Sequence, residues 1–281
     1  MLQARTTALT GLAMIAFACN SLLCRYALKH TAIDAGSFTV IRLAARAGML
    51  WLIVQLRSRS RSGAGDWPSA LALFAYAAGF SFAYASLPAA TGALLLFGAV
   101  QVTMVGHGLW RGERLRGWQL AGFVLASAGL VGLLLPGLSA PPLQGALLML
   151  GAGVAWGVYS LRGKGAGDAT RVTAGNFLRT LPIALLLLPW LARHMVLDPA
   201  GVLSALASGA LASGIGYAIW YAALPSLRAT TAATVQLGVP VLAAIGGVVL
   251  LAEPVSLRLG LASVAVLGGI ALVVTQGRSK A

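Results

Sequence analysis

Ten long apolar runs constrain this chain more than any other feature of its sequence. Each run has about 20 residues, the length that an α-helix needs to cross the hydrocarbon core of a bilayer. The connections between them are short, so they leave no room for a separate soluble domain. The runs cover residues 6–29, 35–56, 67–86, 91–110, 116–136, 142–161, 171–192, 200–223, 229–251 and 256–275.

The composition supports the same conclusion. Hydrophobic residues make up 59% of the chain and charged residues 9%, whereas a soluble domain has about 45–50% and about 25%. These values exclude a soluble enzyme, a disordered chain and a disulfide-stapled secreted module. The 35 glycines fit the close approach of membrane helices. The sequence therefore predicts an all-α membrane protein with ten transmembrane helices, surrounded by the lipid bilayer.

The net charge of +14 comes mainly from the connections between the runs. There is no basic stripe interleaved with aromatic residues, so we do not expect nucleic acid as a partner. If the N-terminus is cytoplasmic, thirteen basic residues fall on the inner side and four on the outer side. The positive-inside rule then places both termini in the cytoplasm.

The second half of the sequence repeats the first after about 140 residues. Five spans in each half is an odd number, so the second half enters the membrane from the opposite side. Such inverted repeats occur in secondary transporters, which bind substrate between the repeats; an ordinary duplication is the alternative. We assign residues 1–137 and 138–281 to the two repeats. The matching pairs include Tyr84–Pro88 with Tyr221–Pro225, Glu113 with Glu253, and Arg42 with Arg179.

This pattern resembles the drug/metabolite transporter superfamily, specifically its EamA-type ten-helix exporters. The resemblance covers nearly the whole chain, and within the superfamily the chain looks most like the aromatic amino acid exporter (YddG-type) branch. It implies ten helices around a central cavity, in a bacterial-type inner (plasma) membrane, and export of amino acids or related metabolites. Phe17 departs from the family, where a tryptophan is usual. The residues that carry the resemblance are Phe17, Asn20, Arg42, Arg179, Trp156-Gly157, Glu113 and Glu253.

Three arginines inside the spans are costly, because an arginine at the bilayer centre costs about 2.5–3.5 kcal/mol on insertion scales. Arg42 and Arg46 are four residues apart and share one helix face, which should point into the bundle or a wet cavity. Arg46 has no counterpart in the second half, so it is a candidate to bind a substrate carboxylate as a bidentate fork. The repeat-related pair Arg42 and Arg179 better fits structural contacts with backbone carbonyls, a role that remains open for Arg46 too.

Aromatic and amide side chains are the other candidate binding residues. Aromatic faces stack on a substrate side chain and attract an ammonium group, and a buried amide without a partner is costly. The alternative for aromatic residues near span ends, such as Tyr84 and Tyr221, is an interfacial belt. The expected substrate-binding residues are Asn20, Arg46, Tyr76, Phe80, Gln101, Trp156, Asn176, Tyr217, Trp220 and Gln236.

No acidic residue lies inside a span. Proton-coupled carriers often use such acids, so we favour facilitated diffusion over proton coupling. We expect Glu113 and Glu253 to end helices, with Glu113 paired to Arg111 or Arg114 and Glu253 to Arg258. Pro182 and Pro240 interrupt helices and are expected either to hinge gates or to form fixed bends.

The favoured function is export of aromatic and other neutral amino acids by alternating access, with a small molecule as substrate and a monomer as the expected state. The alternative is a proton-coupled exporter of hydrophobic drugs or anionic metabolites. No cluster or motif typical of an enzyme is present, and we expect no catalytic residue, cofactor or metal. A channel is disfavoured because no filter loop is visible.

Overall fold

The computed structural model describes residues 2–57, 64–112, 114–115, 117–137, 140–163, 167–227 and 235–276. Over these ranges the regular structure is helical throughout, and no strand occurs. The first six helices are α1 (Leu2–His30), α2 (Ala35–Arg57), α3 (Trp67–Tyr84), α4 (Ala89–Trp110), α5 (Trp118–Leu134) and α6 (Leu143–Arg162).

After α6, the chain continues with two composite rods and two further helices. In the first rod, α7 (Ala169–Ile183) continues through a 3-10 turn into α8 (Leu188–His194). In the second rod, α9 (Pro199–Leu206) continues through a π-helix (Ala207–Ile215) into α10 (Gly216–Ala223). The last two helices are α11 (Gly238–Leu251) and α12 (Leu257–Gln276).

A helix or composite rod occupies each of the ten predicted spans in the described part of the chain. Seven of these segments are long and apolar enough to cross a membrane, while α5 and α11 are shorter apolar helices and α3 has 18 residues. The prediction of an all-helical, multi-span membrane protein is confirmed.

Acidic residues begin several of these helices. The Asp66 carboxylate accepts a hydrogen bond from the Ser69 backbone N–H at the start of α3, and Asp168 and Asp198 cap α7 and α9 in the same way. A carboxylate at this position satisfies an unpaired N–H and interacts favourably with the helix dipole. These three aspartates therefore lie at helix starts, outside the apolar spans.

The predicted prolines both lie at irregular points of a helix. The α-helical geometry of α7 ends one residue after Pro182 and gives way to the 3-10 turn. Helix α11 begins after a turn at Leu237, which places Pro240 in its first helical turn. A proline removes one backbone donor and clashes with the preceding turn, so it explains both irregularities.

The helices pack around a central space. Helix α2 packs on α7 and on the π-helix, α3 on α6, and α4 on both α6 and α11. Helix α1 packs on the rod α9–α10 and on α11. Helices α5 and α12 pack mainly against each other and lie outside this central arrangement.

Glycines bring α5 and α12 into close contact. A Cβ added at Gly122 would lie 2.5 Å from the carbonyl oxygen of Gly269, and one at Gly129 would lie 2.9 Å from the Cβ of Ala265. Small residues are typical of such crossings, since van der Waals packing drives helix association in lipid. A Cβ added at Gly132, on the same helix α5, would have no atom within 4 Å.

We therefore expect Gly122→Ala to destabilise the protein, because the added methyl group forces two backbones apart at a cost of about 1–3 kcal/mol. The matched control, Gly132→Ala, should be neutral or stabilising by up to about 1 kcal/mol, as alanine favours a helix. Thermal unfolding in detergent measures both. Equal melting temperatures for the two variants would contradict the close crossing.

Candidate functional site

A cavity of about 440 Å³ lies at the centre of the bundle, within the range of small-molecule sites. We name the two ends of the bundle after their loops: the Asp34 face holds the α1–α2 connection, and the Asp66 face holds the α2–α3 connection. Gly163 and Gly167, on either side of the α6–α7 connection, line the cavity. The cavity therefore extends from the middle of the bundle towards the Asp66 face.

Nine of the ten predicted binding residues line this cavity: Asn20, Arg46, Tyr76, Phe80, Gln101, Trp156, Tyr217, Trp220 and Gln236. They come from six different rods and from the segment before α11, so the fold brings together residues that are far apart in sequence.

Asn176 is the exception, and its predicted position needs correction. Its side chain lies outside the cavity lining, and its Oδ1 accepts a hydrogen bond of 2.7 Å from the backbone N–H of Asp66. A buried amide needs a hydrogen-bond partner, and Asn176 has its partner in the loop before α3 and not in the cavity.

Arg46 is 1% exposed and contributes to the cavity wall. Its Nη2 donates to Ser213 Oγ, and its guanidinium carbon lies 4.7 Å from the centre of the Phe177 ring. The Nε and Nη1 atoms have no hydrogen-bond partner among the described residues. A buried guanidinium with two unused donors beside a cavity is suited to bind an anion.

Asn20 and two serines hold Arg46 in place. The hydroxyl groups of Ser208 and Ser213 both donate to Asn20 Oδ1, at 2.7 and 3.0 Å. Since the single proton of Ser213 is directed to Asn20, its oxygen is free to accept from Arg46. The chain from Arg46 through Ser213 to Asn20 links α2, the π-helix and α1.

The sequence analysis missed these two serines, which are five residues apart. In an α-helix, residues five apart lie about 140° apart around the axis, so they would not meet one partner. The π-helix Ala207–Ile215 has wider turns, and both serines face Asn20. The only signal in the sequence is the repeated Ser-Gly pair. Gly209 lets the widened turn approach the Arg42 carbonyl of α2 closely.

Aromatic rings form most of the remaining wall. Trp156 lies 4.7 Å from Tyr76 and 5.5 Å from Tyr217, measured between ring centres. Phe17 packs on Tyr217 at 5.3 Å and on Trp220 at 6.3 Å. Tilted and edge-on contacts of this kind are favourable and fix the rings in place.

Two tyrosines for which a lipid-interface belt was the alternative lie inside the protein. The hydroxyl of Tyr84 donates to the Ala89 carbonyl at 3.3 Å, and its side chain is fully buried away from the cavity. Tyr221 lines the cavity, where its hydroxyl hydrogen-bonds Thr173 at 3.0 Å. Thr173 also hydrogen-bonds the Tyr159 hydroxyl at 2.9 Å.

The other two span arginines contact backbone carbonyls and do not line the cavity. Arg42 donates to Ala77 at 2.9 Å, with its guanidinium carbon 4.6 Å from the Phe80 ring centre. Arg179 donates to Ala64 and Gly175 at 2.6 and 3.0 Å. These contacts fit the structural role predicted for the pair.

Glu253 corrects another prediction, because it does not pair with Arg258. Its Oε1 accepts a hydrogen bond of 2.8 Å from Arg25 Nε, and its Oε2 accepts one of 2.7 Å from the Ala89 backbone N–H. Arg258 instead donates to the carbonyl of Leu135. The predicted partners of Glu113 are not tested, since Glu113 lies outside the described residues.

The Arg25–Glu253 pair joins three segments towards the Asp34 face of the bundle. Arg25 also donates to the Tyr84 carbonyl at 3.0 Å, so the pair joins α1, the α3–α4 turn and the segment after α11. Both side chains are at most 10% exposed. Each of these buried charges has lost its contact with water, so removal of one leaves the other without compensation.

A carboxylate in each connecting loop fixes the ends of the bundle. Burial opposes the charge on Asp34, but hydrogen bonds from Ser37, Val196 and Trp190 outweigh this effect and lower its pKa. Burial likewise opposes the charge on Asp66, while Ser69 and Arg162 lower its pKa. The two charged carboxylates each link a loop of the first half to the second half.

These features define a multi-span helical membrane protein with a central cavity. Residues 143–275 match the EamA-like transporter family. The chain is also 60% identical over 278 residues to "Uncharacterized protein PA1977" of Pseudomonas aeruginosa, covering 99% of this chain and 97% of that protein. Residues 143–275 thus form an EamA-like transporter domain, of a family within the drug/metabolite transporter superfamily, and this domain points to a membrane transporter of small molecules.

A solved crystal structure has the same fold. It is 20% identical in sequence and superposes with a TM-score of 0.67, over 98% of this chain and 99% of that one. At this level of identity the likeness establishes the arrangement of helices along the whole chain and carries no information on substrate.

We expect Glu253→Gln to destabilise the protein, because it leaves the Arg25 charge buried without its partner. Breaking a buried pair costs about 3–5 kcal/mol, which corresponds to a fall in Tm of roughly 5–15 °C. In the double variant Arg25→Gln/Glu253→Gln the loss should be smaller than the sum of the single losses. Additive losses in thermal unfolding would show that the two side chains do not interact.

Proposed function

We propose that this protein exports neutral amino acids, including aromatic ones, across the bacterial inner membrane. The observation that carries the proposal is Arg46, whose Nε and Nη1 atoms lack partners at the wall of an aromatic cavity. A carboxylate oxygen accepts a strong, charge-assisted hydrogen bond from a guanidinium N–H. The carboxylate of an amino acid would supply the missing partner.

The cavity also suits the rest of an amino acid. None of the described acidic residues lines it, so an ammonium group would contact aromatic faces and the amide oxygens of Gln101 and Gln236. Trp156 and Tyr217 provide flat apolar surfaces for an aromatic side chain. Such a site favours neutral amino acids over amines, which lack the carboxylate that Arg46 requires.

Transport would occur by alternating access. The cavity extends towards the Asp66 face, while the Arg25–Glu253 pair holds the opposite face together. The positive-inside rule places the Asp66 face in the cytoplasm, together with both termini. In this orientation the structure corresponds to a state that receives substrate from the cytoplasm, and export requires the Arg25–Glu253 pair to separate.

The packing of the helices supports two inverted repeats, 1–137 and 138–281. Helices α2 and α7 are repeat counterparts that contact each other, as are α4 with α11 and α5 with α12. The contact of α3 with α6 has its counterpart in the contact of the rod α9–α10 with α1. Two halves exchanged by a pseudo-two-fold axis supply the two equivalent states of an alternating-access carrier.

We propose facilitated transport by a monomer, in the manner of the aromatic amino acid exporter (YddG-type) branch. A proton-coupled carrier usually places a titrating acid at its substrate site, and the described acids lie at helix starts or in the Arg25–Glu253 pair. Pro182 and Pro240 lie at irregular helix positions and would bend during the exchange of states.

The alternative is a proton-coupled exporter of anionic metabolites or hydrophobic drugs. One observation favours anions: Arg42 and Arg46 each have two nitrogen atoms without partners, and no described carboxylate neutralises them. The positive charge of this pair would attract an anionic substrate to the Arg46 side of the cavity. The apolar lining of the cavity would suit a hydrophobic drug.

Uptake into proteoliposomes separates these possibilities. We expect labelled phenylalanine and threonine to enter without a proton gradient, and a cationic dye to be excluded.

Arg46→Ala should reduce amino acid uptake at least tenfold, since a charge-assisted hydrogen bond contributes about 1.5–3 kcal/mol. The matched control Arg258→Gln removes an arginine outside the cavity and should retain full uptake. Full activity of Arg46→Ala would overturn the assignment, and gradient-dependent dye transport would favour the alternative.

A further inference from the structure

Three hydroxyl groups form a second polar group in the cavity, separate from Arg46. Tyr159 of α6, Thr173 of α7 and Tyr221 just before the Asp66 face all line the cavity. Their hydroxyls are joined in a chain, at 2.9 Å from Tyr159 to Thr173 and 3.0 Å from Thr173 to Tyr221. We call these residues the hydroxyl triad. The proposed transport cycle gives the hydroxyl groups of these residues no role.

The triad has spare hydrogen-bonding capacity. Three hydroxyl groups carry three protons and six lone pairs. Hydrogen bonds join Thr173 to both tyrosines, and Tyr159 also interacts with Tyr221 and Asn176. These bonds can use all three protons, but lone pairs remain to accept a hydrogen bond from another molecule. The three helices that carry the triad all belong to the second half of the chain, and α6 and α7 are held in place by α2, α3 and α4 of the first half.

The triad and Arg46 lie at different ends of an aromatic wall. The guanidinium carbon of Arg46 is 5.7 Å from the centre of the Tyr217 ring, which in turn is 5.8 Å from that of Tyr221. Trp156 lies between the same groups, 5.5 Å from Tyr217 and 5.6 Å from Tyr159. The Tyr217 ring thus contacts both the positive group of the cavity and the ring of Tyr221, which carries one of its hydroxyl groups.

This separation determines which part of a substrate the triad could contact. The carboxylate and ammonium groups of an amino acid share one carbon atom, so both would remain near Arg46. A planar side chain lying along Trp156 and Tyr217 would extend towards the triad. Only an atom at the far end of that side chain would reach the three hydroxyls.

We propose that the hydroxyl triad is a distal subsite, which binds a hydrogen-bonding group at the end of an aromatic substrate side chain, such as a phenol O–H or an indole N–H. This inference rests on the proposed function, because it takes the substrate carboxylate to be at Arg46. A site that offers hydrogen bonds to a substrate group discriminates against analogues without that group, since its own polar atoms then lose a partner. The triad thus sets a preference for tyrosine over phenylalanine.

Competitive uptake of tyrosine and phenylalanine into proteoliposomes tests the subsite, as the two substrates differ by one hydroxyl group. We expect the wild type to favour tyrosine in kcat/KM by about three- to tenfold, the value of one net hydrogen bond. Thr173→Val and Tyr221→Phe should abolish the preference, because they lower kcat/KM for tyrosine by three- to tenfold more than kcat/KM for phenylalanine. The matched control Tyr84→Phe removes a buried hydroxyl outside the cavity and should leave the preference intact.

The possible outcomes separate two failures. If the wild type transports both amino acids equally, or if the variants lower both uptakes together, the triad only connects helices and the subsite is refuted while the exporter remains. If the wild type transports neither amino acid, the proposed function fails and the subsite fails with it.

Thermal unfolding of each variant shows whether an equal loss of both uptakes reflects misfolding. In that case Tyr159→Phe, which changes one atom, repeats the test, and an unchanged preference in this variant also refutes the subsite.

Discussion

The burial of positive charge inside an apolar bundle is the constraint on which the rest of this structure depends. An arginine in such an interior is costly unless its donors find partners. Arg25 meets this requirement with Glu253, and Arg179 contacts carbonyl groups of neighbouring segments. Arg42 contacts one carbonyl outside the cavity, and its Nε and Nη1 atoms have no described partner. Arg46 receives one serine oxygen and two aromatic faces, while two of its nitrogen atoms face no described partner.

The different surroundings of these arginines give them different roles. The Arg25–Glu253 pair is complete, so it joins three segments at one face of the bundle, and in the proposed transport cycle that face opens when the pair separates. Arg46 is incomplete, so an arriving carboxylate gains the hydrogen bonds that the protein leaves open. A substrate would thereby stabilise the arrangement of α1, α2 and the π-helix around it. In this account, the same energetic rule explains both the closed face and the binding site.

Much of this arrangement could be predicted from the sequence. Apolar runs of membrane-spanning length predicted the ten rods. The high cost of polar groups in lipid, together with the ability of aromatic faces to stack on a substrate, predicted nine residues of the cavity wall. The exceptions depend on long-range or irregular geometry. The partner of Glu253 is 228 residues away in the sequence, and the rule that pairs nearby charges favoured Arg258. Ser208 and Ser213 meet Asn20 only because the helix widens, which no periodicity indicates. Asn176 accepts its hydrogen bond from the backbone of Asp66, in the loop before α3.

The central claim is that Arg46 recognises a carboxylate, and ligand binding to the purified protein tests it most directly. Isothermal titration would compare phenylalanine, phenylpropionate, which lacks the ammonium group, and phenethylamine, which lacks the carboxylate. The account predicts that both carboxylates bind to the wild type, that phenethylamine does not, and that Arg46→Ala loses both. Binding of phenethylamine with an affinity equal to that of phenylalanine would contradict it, because the site would then recognise the amine or the ring and not the carboxylate.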